Sequence, residues 1–190
     1  MGGEGRRGDD APMVVVLTGD RGVGKSTVCH KALAIAQAKG YVCGGVVTTS
    51  HPDSARQVLN ARTGQTRWLT LEPGRSNTNG AVVQGRFRFD AETVAWGNTI
   101  LACATPCDLL FVDELGPLEI ERVQGWQKAF DVLLKGDYTL GVVVVRPRLL
   151  EALRSRLYAE PTILLHVTLR NRDDLPSLLV DMLETKLGPF

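Results

Sequence analysis

A chain of 190 residues with 44% hydrophobic and 23% charged side chains has the composition of a globular protein large enough to bury a core. Lys and Arg number 22 against 21 Asp and Glu, for a net charge of +1, which argues against a dedicated nucleic-acid binder with its strongly basic footprint. The opening MGGEGRRGDDAP lacks the apolar segment of a signal peptide, and Arg6 breaks a myristoylation pattern after Gly2. The longest apolar runs, Met13–Leu17 and Leu140–Val145, are too short to span a bilayer. These features predict a cytoplasmic monomer with no membrane or nucleic-acid partner, a mobile tail over residues 1–12, and one domain over residues 13–190.

In chain order, the Val-rich run Met13–Thr18 reads as a buried strand ending in a Gly-rich turn. Lys25–Lys39 carries a helical stripe of Val28, Ala32, Ile35 and Ala36, and Gly40 stops it. Tyr41–Thr49 reads as the next strand, completing a βαβ unit. Gln57–Ala61 and Gln65–Leu69 flank Thr63-Gly64, a hairpin turn, and Glu72–Gly80 is rich in turn-formers. Gly85–Phe89 alternates as a short strand. Asp90 then caps a helix running to about Ala104, with Phe89 and Val94 spaced as a hydrophobic staple. Beyond it, strands are expected at Leu109–Val112, Tyr138–Val145 and Thr162–Val167, with helices at Glu119–Lys135, Pro147–Leu157 and Asp173–Lys186. Continuous apolar strands alternating with helices predict a mostly parallel sheet in a three-layer α/β/α fold, with a small β-hairpin insertion around residues 55–89. Cys29, Cys43, Cys103 and Cys107 show no C-x-x-C spacing. A helix would bring Cys103 and Cys107 onto one face, but reduced, mostly buried thiols without a metal are expected.

Two motifs carry chemistry. Gly19-Asp20-Arg21-Gly22-Val23-Gly24-Lys25-Ser26 matches the G-x-x-x-x-G-K-[ST] loop between a strand and a helix. Its glycines let backbone N–H groups turn inward onto phosphate, and the helix start adds its positive dipole end. Lys25 is expected on the β- and γ-phosphates, Ser26 on magnesium and Thr27 near the α-phosphate. Four apolar residues then lead to Asp113-Glu114, a pair suited to hold magnesium through Asp113 and to polarise an attacking water through Glu114. Two weaker signals follow. Arg146, at a strand end, is a candidate γ-phosphate sensor, or else a partner of a surface carboxylate. Asn171-Arg172-Asp173-Asp174 either contacts the base or caps the last helix.

The order GDRGVGKST, FVDELGPLE and VTLRNRDDLP resembles the THEP-type small nucleoside-triphosphatases over nearly the whole chain, from about Met13 to Leu183. The resemblance implies a RecA-like P-loop core and slow, magnesium-dependent hydrolysis of several nucleoside triphosphates, ATP and GTP among them. It also implies that Gly19 to Thr27 form the phosphate loop, Asp113 serves magnesium, and Glu114 is catalytic. The strand Tyr138–Val145, carrying Arg146, is then expected between the phosphate-loop strand and the acidic-pair strand.

Two rival activities fit parts of the pattern. A kinase would use Arg146, Arg148, Arg154 and Arg156 as a lid, although such a cluster is also an ordinary solvated helix face. A GTP-binding switch would read Asp113–Gly116 as D-x-x-G and Asn171–Asp174 as N-K-x-D. Against it, Arg172 stands where Lys is needed and Pro117 where a water-orienting Gln often follows.

Overall fold

The computed structural model describes residues 11–51, 55–70, 82–84, 87–122, 124–157 and 162–188. The expected tail over residues 1–12 falls almost wholly outside the described residues, as does the Glu72–Gly80 turn region.

The chain forms strands β1 (Met13–Thr18), β2 (Cys43–Ser50), β3 (Arg56–Asn60), β4 (Thr66–Trp68), β5 (Val82–Gln84), β6 (Phe87–Phe89), β7 (Cys107–Leu115), β8 (Tyr138–Val145) and β9 (Thr162–His166). The helices are α1 (Lys25–Ala38), α2 (Ala91–Ala102), α3 (Pro117–Ile120), α4 (Lys128–Lys135), α5 (Leu150–Arg156) and α6 (Leu175–Leu187). The main sheet runs β4-β3-β2-β7-β8-β1-β9. Its five strands from β2 to β9 are parallel, and β3 and β4 extend the β2 edge in antiparallel sense. β8 does lie between β1 and β7, where the sensor strand was expected.

The apolar strand runs are explained by two cores. Val14, Val16, Leu110, Val112, Val143 and Val145 point to one face, where they meet Leu101, Trp126, Leu133 and Leu153. Val15, Leu17, Leu109, Phe111, Val142 and Val144 point to the other, against Val28, Leu33, Leu179 and Leu183. Alternate side chains of one strand therefore feed opposite cores, so every position is apolar and no polar face is left. The result is the three-layer α/β/α architecture, with α1 and α6 on one side and α2, α4 and α5 on the other. No helix among the described residues is long and apolar enough to cross a membrane.

Several boundaries differ from expectation. The insertion has two parts: β3 and β4 join the main sheet, while β5 and β6 form a separate two-stranded ribbon bridged to Thr70 through Phe89. The expected helix Glu119–Lys135 is instead two helices, α3 and α4, divided by a loop. The buried Glu119 carboxylate accepts hydrogen bonds from the N–H groups of Gly116 (2.8 Å) and Trp126 (3.1 Å), pulling the chain around itself. Gly125 permits that loop with a left-handed φ of 69°. Pro147–Leu149 is a single 3₁₀ turn ahead of α5, and α6 starts at Leu175 rather than Asp173. Cys103 follows α2 and Cys107 opens β7, so the two share no helix face. Cys29, Cys43 and Cys107 are buried, Cys103 is exposed, and all four are free thiols. Asp90 caps α2 as expected, its carboxylate accepting from the Thr93 N–H at 2.9 Å.

The Glu119 loop also fixes α2. It lays the Trp126 ring over Gly97, so that a Cβ there would lie 2.1 Å from the ring. In an exposed helix, Gly→Ala stabilises by about 1 kcal/mol. Here Gly97→Ala overpacks the core and should reverse that sign, destabilising by about 1–3 kcal/mol. Urea unfolding checks it; a more stable Gly97→Ala protein contradicts the packing.

Candidate active site

The Gly-rich segment links β1 to α1. Gly19, Gly22 and Gly24 have φ values of 143°, 78° and 110°, a region that L side chains rarely adopt. A Cβ on Gly19 would lie 2.5 Å from the carbonyl oxygen of Val167. Asp20 and Arg21 are exposed at the turn, and Val23 tucks inward against the core of α1 and α6. Gly24 precedes the first residue of α1, so the helix's unpaired N–H groups open beside the loop. Lys25 Nζ donates to the carbonyl oxygens of Gly19 and Asp20, both at 2.7 Å, and its charge is thereby held over the loop. Burial lowers the Lys25 pKa, with Glu114 opposing that shift.

Asp113 is fully buried near the end of β7. Its Oδ2 accepts from the N–H and the hydroxyl of Thr48, both at 2.9 Å, and its Oδ1 accepts from the Ser26 hydroxyl at 3.2 Å. Burial pushes the carboxyl up to about 6, opposed by the Thr48 N–H and raised further by the charge of Glu114. The partners given by these bonds are two hydroxyls and an amide, none of them charged. A buried carboxylate beside a serine hydroxyl in this setting has the hard oxygen donors that suit magnesium, which takes one or two protein ligands and completes its shell with water and phosphate. No cluster of three His, Cys, Asp or Glu occurs among the described residues, and a site of this kind does not require one.

Glu114 follows at once in a different environment. It has a left-handed φ of 69° and lies in a register shift between Val112 and Leu115 against β8. Its Oε2 forms an ion pair with Arg56 Nη1, and its Oε1 with Arg146 Nη2 at 3.2 Å. Burial alone would raise its pKa, but the two guanidinium groups outweigh burial and hold it below the usual carboxylate range. A cleft of about 480 Å³ joins these parts, lined by Arg21, Lys25, Ser26, Arg56, Glu114 and Arg146 among others. Gly22, Gly24 and Thr27 also line it.

Arg172 lies against the loop, its Cδ 3.2 Å from where a Gly24 Cβ would sit. Asn171 turns back onto its own segment: its side-chain oxygen accepts from the Thr168 N–H and hydroxyl, and its amide donates to His166 O. Neither residue lines the cleft. Asp173 pairs with Lys31 at 2.7 Å. Of the four arginines read as a lid, only Arg146 faces the cleft. Arg154 pairs with Glu151 on its own helix, while Arg156 stacks on Phe130 and donates to Ile120 O.

Sequence reasoning missed Thr48, Arg56 and His30. Thr48 had a signal, because Thr48-Thr49-Ser50 follows the apolar Val46-Val47 at a carboxyl strand edge. His30 sits one turn into α1 with its Nε2 2.7 Å from the Thr49 hydroxyl. Arg56 had no local signal.

A family model described as NTPase matches residues 14–180. The chain belongs to this NTPase family. Among curated relatives, the nucleoside-triphosphatase THEP1 of Methanosarcina acetivorans is 31% identical over 181 residues, covering 92% of this chain and 98% of that protein. THEP1 of Methanopyrus kandleri is 29% identical over 178 residues, covering 90% and 94% respectively. Two solved structures share the fold of this NTPase. A human cancer-related nucleoside triphosphatase superposes with a TM-score of 0.67 at 24% identity, over 91% of this chain and 98% of that one. THEP1 from Aquifex aeolicus gives a TM-score of 0.67 at 17% identity, over 90% and 99%.

The Thr48 hydroxyl is a testable part of this site. Thr48→Val keeps the shape and the backbone N–H but removes one bond to a fully buried carboxylate. The expected loss is about 1–3 kcal/mol of folding stability, read from urea denaturation of the ligand-free protein; an unchanged midpoint contradicts the bond.

Proposed function

We propose that this NTPase is a slow, magnesium-dependent hydrolase of nucleoside triphosphates with broad base tolerance, acting as a monomer in the cytoplasm. The observation that carries the reading is the meeting of two separate segments at one cleft: Lys25, Ser26 and Glu114 line it, and the buried Asp113 accepts from the Ser26 hydroxyl behind it. The names of the curated relatives support the activity, and four free thiols fit a reducing compartment.

In this reading Gly19 to Thr27 cradle the phosphates with backbone N–H groups, and Lys25 binds the terminal pair. Ser26 and Asp113 would hold magnesium, which when bound neutralises phosphate charge. Glu114 accepts a proton from water while the water oxygen bonds to the γ-phosphorus. The bond to the β-phosphate oxygen breaks, and its electron pair leaves with the nucleoside diphosphate. Arg146 stabilises charge on the γ-phosphoryl oxygens. Arg172, packed against Gly24 outside the cleft lining, would approach the nucleoside. Asn171 is engaged within its own turn, which weakens the guanine-specific reading and supports loose base choice.

The kinase reading has one observation in its favour: the cleft is lined also by His30, Thr49, Ser50 and His51, polar side chains of the kind that an acceptor would meet. One experiment separates the two. Wild type, Lys25→Ala and Glu114→Gln are assayed with magnesium or EDTA, with and without a pool of nucleotide and metabolite acceptors, and products are resolved by mass. Glu114→Gln should still bind the triphosphate but release phosphate about 10²–10⁴-fold more slowly, the usual worth of a general base. Lys25→Ala should lose triphosphate affinity and turnover while remaining folded. An acceptor-dependent phosphorylated product that outpaces free phosphate overturns the hydrolase reading.

The same assay over the common ribo- and deoxyribonucleoside triphosphates should give rates within about tenfold, a spread of ~1.4 kcal/mol. A thousandfold preference for GTP contradicts loose base choice.

A further inference from the structure

We infer that Arg56 and Arg146 form a clamp that exchanges partners, holding Glu114 in the free enzyme and passing to the γ-phosphate when a triphosphate binds. Arg56, on the hairpin edge of the sheet, thereby becomes a catalytic residue. The inference rests on the hydrolase reading for its consequence, but its binding test does not require turnover.

The geometry sets up a competition. Each oxygen of Glu114 faces a different guanidinium, Oε2 that of Arg56 and Oε1 that of Arg146. The Arg56 side chain is only 11% exposed and that of Glu114 25%, so water screens their attraction weakly. Both arginines also line the cleft that holds Lys25 and Ser26. Among the described residues, Arg21, Lys25, Arg56 and Arg146 line that cleft against the single carboxylate of Glu114. This excess of cations matches an anion of higher charge than a carboxylate. A terminal phosphate presents three oxygens and up to two charges to the same guanidinium forks, and Arg binds phosphate as well as carboxylate in bidentate fashion.

The backbone confines the exchange to side chains. Arg56 is paired with Ser50 of β2, its N–H donates to the Thr70 hydroxyl at 2.9 Å, and its carbonyl accepts from Leu69 N–H at 2.7 Å. Arg146 is followed at once by Pro147, which fixes the chain leaving β8. Two anchored arginines therefore share one carboxylate at the place where the terminal phosphate is proposed to lie. Their transfer would neutralise the phosphate and release both oxygens of Glu114 toward water in the same event.

The test measures binding of ADP and of a β,γ-methylene ATP analogue by calorimetry, with magnesium, to wild type, Arg56→Gln, Arg56→Lys, Glu114→Gln and the Arg56→Gln/Glu114→Gln pair. Arg56→Gln should weaken the triphosphate analogue by about 10–100-fold while ADP changes less than about twofold, because only the analogue carries a γ-phosphate. Arg56→Lys should fall between, and it carries the test should Arg56→Gln not fold. Glu114→Gln removes the competing anion and should tighten the analogue several-fold, a gain that disappears in the paired variant. Equal weakening of ADP and analogue, or no tightening in Glu114→Gln, makes the pair merely structural and overturns the clamp. Absence of phosphate release by wild type overturns the hydrolase reading separately, since the affinity differences stand or fall without it.

Discussion

The carboxylate of Asp113 is the constraint on which the site depends. It is wholly buried, and a buried carboxylate is tolerated only when its oxygens are met by donors. Those donors come from two other segments: Thr48 at the end of β2, and Ser26 in the first turn of α1. Satisfying one charge therefore sets the end of β7, the end of β2 and the start of α1 in mutual register. The Gly-rich loop cannot be displaced without moving Ser26 away from that carboxylate, and β2 cannot slip without withdrawing both donors of Thr48.

Sheet order does the rest. From β1 the chain crosses past β8 and β7 to reach β2, and later returns to place β9 on the other side of β1. Strands flanking β1 are thus reached by different parts of the chain, and the loops at their carboxyl ends diverge, which opens a crevice for a ligand. β8, lying between β1 and β7, delivers Arg146 to the same edge. The antiparallel addition of β3 to β2 turns the chain back so that Arg56 arrives from the far side of Glu114. Hairpin residues remote in sequence from the phosphate loop become one wall of its cleft.

How much of this was legible follows from the range of the forces involved. The phosphate loop is a local object, dictated by glycines at left-handed positions and by a helix start, so eight consecutive residues announce it. The acidic pair was legible because it ends an apolar run that could only be a buried strand. The three-layer fold was legible from period and length, since strands feeding two cores must be apolar throughout. Thr48 was half legible, as a hydroxyl at a strand edge. Arg56 was not, because its partner is 58 residues away and only the pairing of β2 with β3 brings the two together. The single helix expected over Glu119–Lys135 failed for a nearer reason. The buried Glu119 carboxylate draws in the N–H groups of Gly116, three residues before it, and Trp126, seven after it, and that demand outweighed helix propensity. Asn171 is likewise held locally, a polar side chain whose turn bonds lie within five residues.

Asp113 and Glu114 are neighbours in sequence with opposed electrostatics, and the register shift in β7 sets where Glu114 is aimed. In an unbroken strand they would point to opposite faces of the sheet. With Glu114 at a left-handed φ, an arrangement that costs about 1–3 kcal/mol for a residue with a side chain, Glu114 instead reaches two arginines at the sheet edge. Asp113 stays among uncharged donors, and its ionised form is disfavoured, with a pKa near 6. Glu114 is already neutralised by two guanidinium groups, and its ionised form is favoured. A carboxylate short of positive charge gains most from an arriving divalent cation, whereas one saturated with it gains least. Two environments that push adjacent carboxyl groups in opposite directions mark a division of tasks, and in the proposed reaction that division gives the cation to Asp113 and leaves the water to Glu114.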